Sequence, residues 1–128
     1  MKYHHLAIVF LLVSVCTFAQ ERKDHVYNIA EVSKAPHYTG GMKAFYRSVS
    51  QNFSVDGLRN RGGLIIIEFV VERDSTVSNL KVLKAFDGNS GREAVRAVVA
   101  SGKWIPGEID GQPVRTRNQV SIQVQKAR

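Results

Sequence analysis

The side chains with chemical potential in this 128-residue chain are few and scattered. His25 and His37 lie beyond the N-terminal leader, and neither stands with a Glu or Asp at metal-ligand spacing. Ser90 sits in Gly88-Asn89-Ser90-Gly91, which lacks the G-x-S-x-G frame of a strained nucleophile turn. Asp74, Asp87 and Asp110 all fall in turn-rich stretches, where Asp is common because its side chain bonds nearby backbone. Glu68 is the one acid within the most apolar stretch, either a buried carboxylate or, the reading preferred here, a partly solvated or Arg-paired strand residue. Gly40-Gly41 precedes a helical pattern without the Lys-Ser/Thr pair of a phosphate loop, so it reads as a hinge for the helix start. No nucleophile, base and oxyanion donor assemble from these residues. The expectation is a non-catalytic protein with no metal and no cofactor.

The elements that must carry any other function are plainer. Residues 62–72, Gly-Gly-Leu-Ile-Ile-Ile-Glu-Phe-Val-Val-Glu, form the most β-branched run beyond the leader and predict a central strand. Period-2 geometry puts Ile65, Ile67, Phe69 and Val71 on one wholly apolar face, and Leu64, Ile66, Glu68 and Val70 on the other. Met42, Phe45, Tyr46, Val49 and Phe53 recur at helical spacing, a stripe expected to cover the inner face of that strand. Thr39 is the expected cap of this helix.

A hairpin-sized turn leads into a second strand at 77–86, with Leu80 and Val82 on one face and Val77, Lys81 and Leu83 on the other. Ser90 and Glu93 have capping-box spacing ahead of a helix whose small-residue face is Ala94, Ala97, Val98 and Ser101, stopped by Gly102. A turn-rich link carries Trp104, expected to be buried. Residues 114–124 then alternate, with Val114, Thr116, Val120, Ile122 and Val124 set against Arg115, Arg117, Gln119, Ser121 and Gln123. The order is helix, strand, strand, helix, strand: one α+β domain over 36–128, preceded by a tail or edge strand at 20–35.

Residues 1–19 have a short basic start, a continuous apolar core from Leu6 to Val15, and small residues at Thr17 and Ala19, the layout of a secretory signal peptide. The apolar stretch is shorter than the ~20 residues that span a bilayer. Cleavage before Gln20 removes the single cysteine, Cys16, so the mature chain would have no disulfide and must rely on packing. Lipidation at Cys16 or retention as an inner-membrane anchor are the alternatives. The formal charge of +7 bears on partners rather than fold. Outside the cytoplasm it points to anionic envelope components and away from nucleic acid.

Several segments together resemble the C-terminal domain of TonB-type energy transducers. They are Tyr38-Thr39-Gly40-Gly41 before the aromatic helix, residues 68–74 leading into 78–83, Glu93-Ala94-Val95, Trp104-x-Pro106-Gly107, and Gly111-x-Pro113-Val114. The resemblance runs from about residue 36 to 124. It implies a three-stranded antiparallel sheet with two helices packed on one face. It also implies a periplasmic module that captures an extended peptide of an outer-membrane transporter or another envelope partner.

Transducing members carry an uncleaved membrane helix and a long Pro-rich spacer before this domain, whereas here the leader has a cleavage layout and Pro36 is the first proline. The expectation is therefore an exported binding module, with a membrane-anchored energy transducer as the alternative. In the family's architecture the final strand has one open side. The partner-binding residues would then be Arg115, Arg117, Gln119, Ser121 and Gln123, with the arginines favouring an acidic residue near one end of the peptide. The same arginines also suit a charged edge that discourages aggregation. A free edge invites a second copy as well, giving a homodimer by strand exchange.

Overall fold

The computed structural model describes residues 24–59 and 61–126. The leader expected over 1–19, its cleavage junction and Cys16 lie outside the described residues. The domain is α+β, with a three-stranded antiparallel sheet at its centre. Strand β2 (Gly63–Val71) lies in the middle, between β3 (Val77–Lys84) and β7 (Thr116–Val124). Helices α1 (Met42–Asn52) and α2 (Gly88–Ala100) pack on one face of this sheet.

The apolar face of β2 anchors the core. Ile65, Ile67, Phe69 and Val71 are all fully buried, against Phe45 and Val49 of α1 and Ala94, Ala97 and Val98 of α2. Small side chains on α2 let its backbone come close to the sheet, and Gly91 continues that face over Val82. Trp104 is the largest buried side chain. Its ring centroid lies 5.0 Å from Phe45, 5.3 Å from Phe69 and 5.5 Å from Tyr38, in edge-on or tilted contacts of the kind aromatic quadrupoles favour. Tyr38 in turn donates its hydroxyl to the Ser101 carbonyl at the end of α2.

The second strand departs from a simple period of two. The β2–β3 pairing shifts register between Ile66 and Ile67 and again between Glu68 and Val70, and Asn79 adopts a positive φ of 49°. These bulges rotate the strand, so that Val77 and Leu80, expected on opposite faces, both pack against the core. Strand pairing ends at Lys84, short of the expected Phe86, and the Phe86 side chain folds over Gly63.

Helix α2 begins at Gly88, with Asp87 as its cap rather than Ser90. The Asp87 carboxylate accepts from the Ser90 amide at 2.6 Å, and the Ser90 hydroxyl bonds the Asp87 backbone in return. Glu93, expected to close that box, instead accepts from the Ser54 amide at 2.6 Å and pairs with Arg96. It ties the loop after α1 to α2. Thr39 does not cap α1. Gly41 takes that place, with φ 85°, a backbone conformation glycine adopts without strain.

The link after α2 is more ordered than its turn signals suggested. Strand β4 (Trp104–Ile105) pairs with β1 (His37–Tyr38), and β5 (Gly107–Ile109) forms a hairpin with β6 (Gln112–Val114). Gly107 lies so close to the buried Thr116 that a Cβ there would sit 2.4 Å from the Thr116 hydroxyl.

Candidate functional site

Strand β7 is in continuous register with β2 over nine pairs, from Gly63 opposite Val124 to Val71 opposite Thr116. Directly opposed residues share a face, so Thr116, Val120 and Ile122 are buried on the helix side. Arg117, Gln119, Ser121 and Gln123 lie on the outer face opposite Val70, Glu68, Ile66 and Leu64. In an antiparallel strand the backbone groups of alternate residues point to opposite sides. The Arg115 carbonyl and the Arg117 amide bond Tyr27 on the far side, so odd-numbered residues of β7 direct N–H and C=O there and even-numbered ones bond β2.

The first part of that far side is already occupied by the chain itself. The Tyr27 amide donates to the Arg115 carbonyl and the Arg117 amide donates to the Tyr27 carbonyl, each at 2.8 Å, making a parallel bridge opposite Thr116. A 3-10 turn at Ile29–Glu31, closed by the Asn28 amide on the Glu31 carboxylate at 2.7 Å, then takes the segment off the edge. Farther on, Lys34 bridges Glu108 of the β5–β6 hairpin. Beyond Arg117, no described residue pairs with the outer side of β7. The Gln119 amide bonds the Asn118 side chain at 2.9 Å.

The five residues singled out from the sequence thus fall into two groups. Arg115 donates from Nε to both Glu72 carboxylate oxygens, at 2.9 and 3.0 Å, and from Nη1 to the Asp24 carbonyl. It braces the N-terminal segment and is committed internally. Arg117 reaches Asn28 at 3.0 Å and stands 3.7 Å from Glu68, with its side chain 46% exposed. Glu68 is accordingly a half-buried, Arg-paired strand residue. Gln119, Ser121 and Gln123 are exposed and lie along the unpaired stretch.

Beneath that stretch, on the helix side, a cleft of about 510 Å³ separates the end of β7 from α1 and the loop that follows it. Tyr46, Val49, Phe53 and Val55 form one wall, and Ile122 and Val124 the other. The stripe on α1 therefore does two jobs: Phe45 and Val49 are buried in the core, while Tyr46 is 41% exposed and faces the cleft. Helical spacing alone predicts the whole stripe as core. No local signal separates Tyr46 from the rest, since positions i+3 and i+4 both fall within an apolar face of ordinary width.

The second sheet edge is built differently. β3 carries two irregularities and exposed Lys81 and Lys84, features that blunt an edge against pairing. The ionisable groups with displaced titration lie away from both edges. The Thr76 hydroxyl and amide hold the Asp74 carboxyl below its ordinary range, the Ser90 amide does the same for Asp87, and the Arg96 guanidinium for Glu93. All three explain turns and helix ends. Among the described residues no three His, Cys, Asp or Glu side chains gather closely enough to hold a metal ion. Among them, too, no helix is long and apolar enough to cross a membrane.

Comparison with protein-family models, with curated proteins and with solved structures finds no match to this chain.

Proposed function

We propose that this protein is a non-catalytic binding module of the TonB C-terminal type, exported to the periplasm, that captures an extended peptide by adding it to the open side of β7. The observation that carries the reading is the bridge at Tyr27. The edge of β7 already takes a main-chain bridge from Tyr27 of the chain itself at Arg115 and Arg117, and the same edge continues past it without a partner among the described residues. Main-chain bonds along such an edge supply affinity, and alternate side chains supply selectivity. The basic charge of the chain suits an envelope partner with acidic character, of which the N-terminal peptide of an outer-membrane transporter is the kind the resemblance suggests. Affinity is modest, because an unstructured peptide loses chain entropy when it is ordered on the edge.

An NMR titration with short peptides from transporter N-termini tests this. Amide shifts concentrated at residues 119–124 support strand addition to β7. Shifts centred on residues 90–102, or none with any peptide, overturn it.

A further inference from the structure

Strand addition at β7 leaves open which peptides are taken, and the cleft under the edge bears on that. A strand laid beside residues 119–125 alternates its side chains between the two faces of the sheet. Its outward side chains lie beside Arg117, Gln119, Ser121 and Gln123. Its inward ones point under the edge, where Tyr46, Phe53 and Val55 face Ile122 and Val124 across open space. The cleft borders residues 121–125, the end of β7 and the residue after it, about 13 Å of extended chain at ~3.3 Å per residue, enough for two inward side chains spaced two residues apart.

Every residue lining the cleft is uncharged. A charged side chain turned inward would lose its water and find no ion to pair with. The cations nearest in the chain, Arg117 and Lys126, are exposed and bracket the stretch from outside it. Cationic outward residues are therefore disfavoured, and acidic or neutral ones accepted.

Resting on the strand-addition reading, we infer that the cleft is a hydrophobic selectivity pocket. The occupant it selects is an extended peptide with apolar side chains at alternate positions i and i+2, and polar, neutral or acidic residues between and beyond them. The unpaired backbone of Ser121 and Gln123 at the rim specifies an extended chain rather than a helix or a compact ligand. A volume of about 510 Å³ is within the common range for a ligand cleft.

The test uses two capped peptides of identical composition on the whole protein. In one, two leucines alternate with serines and an aspartate closes the end; in the other the leucines are adjacent, so one must face outward. The alternating peptide is expected to bind about tenfold more tightly, the worth of one buried aliphatic side chain. Val55→Asp, at a residue 61% exposed and so outside the packed core, is expected to remove that advantage.

Equal binding of the two peptides, with amide shifts at residues 119–124 and no effect of V55D, overturns the pocket and leaves strand addition standing. Binding of neither peptide removes strand addition and the pocket with it. Concentration-dependent association of the protein through β7, with no peptide effect, makes a second copy the occupant and also overturns the inference.

Discussion

Two proline substitutions one residue apart, Val120→Pro and Ser121→Pro, should behave very differently if the backbone parity of β7 is as described. Val120 stands opposite Ile67, is 3% exposed, and directs its N–H toward β2. Proline there deletes a ladder bond and a buried side chain together, at a cost of about 3 kcal/mol or more. Against a total stability of ~5–15 kcal/mol, that is a large fraction. Ser121 is exposed, and its N–H points to the side no described residue occupies.

Proline is tolerated on the open side of an edge strand, and the restriction it places on the preceding residue asks only that Val120 remain extended, as it already is. S121P is therefore expected to cost under about 1 kcal/mol. With a urea slope of ~1–3 kcal/mol per M, V120P should lower the unfolding midpoint by about 1 M or more, and S121P by a small fraction of that. Peptide capture should show the opposite order of sensitivity. S121P removes a donor from the binding edge and puts ring carbons in its place, which should weaken peptide binding about tenfold while the fold stays intact. The reasoning is refuted if the two variants unfold at the same urea concentration, or if S121P binds peptide like the parent.

Three further outcomes concern the fold that supports the edge. Trp104→Ala should destabilise by about 3–5 kcal/mol, the range for emptying a large aromatic site, and urea midpoints read it directly. Trp104→Phe should cost clearly less than Trp104→Ala, because it keeps a ring in the cluster and removes an indole N–H that has no hydrogen-bond partner among the described residues. Asp87 should contribute to acid sensitivity. Its carboxyl is held below the ordinary range chiefly by the Ser90 amide, so its stabilising effect is complete above the unfolded-state value of ~3.9 and disappears as pH falls through the lower native value. The gap in urea midpoint between the parent and Asp87→Asn should be constant above about pH 5 and close on acidification. A gap that widens in acid would reverse the sign and rule out this role for the cap.

Local chemistry made much of the frame legible. The β-branched run at 62–72 reads as the central strand, because only a strand buried on one face has such a composition there, and β2 occupies 63–71. The alternation of 114–124 separated a buried from an exposed face, and burial follows it at Thr116, Val120 and Ile122. Where reading by period failed, a backbone irregularity intervened. The two bulges in β3 cannot be seen as a break in hydrophobic alternation, since Val77 and Leu80 look equally acceptable on either face until the strand has a partner. The cap of α2 shifted for a similar reason: Asp87 and Ser90 are both good caps by type, and the path of the chain leaving β3 chose between them.

The sequence by itself determined the apolar faces of β2 and β7, the order of the two helices and the three strands of the central sheet, and most of the core, because each depends on spacing between near neighbours. Only the tertiary structure decided which part of β7 is open. That depends on Tyr27 lying against Thr116, on Arg115 being held by Glu72 and Asp24, and on the turn at Ile29–Glu31 lifting the segment off the edge. These partners are some 40 to 90 residues apart in the chain, and no local pattern encodes such a contact. The cleft has the same origin. Tyr46 and Phe53 satisfy the rule for a buried helical face whether or not something covers them, and only the position of α1 past the end of β7 leaves their outer side uncovered.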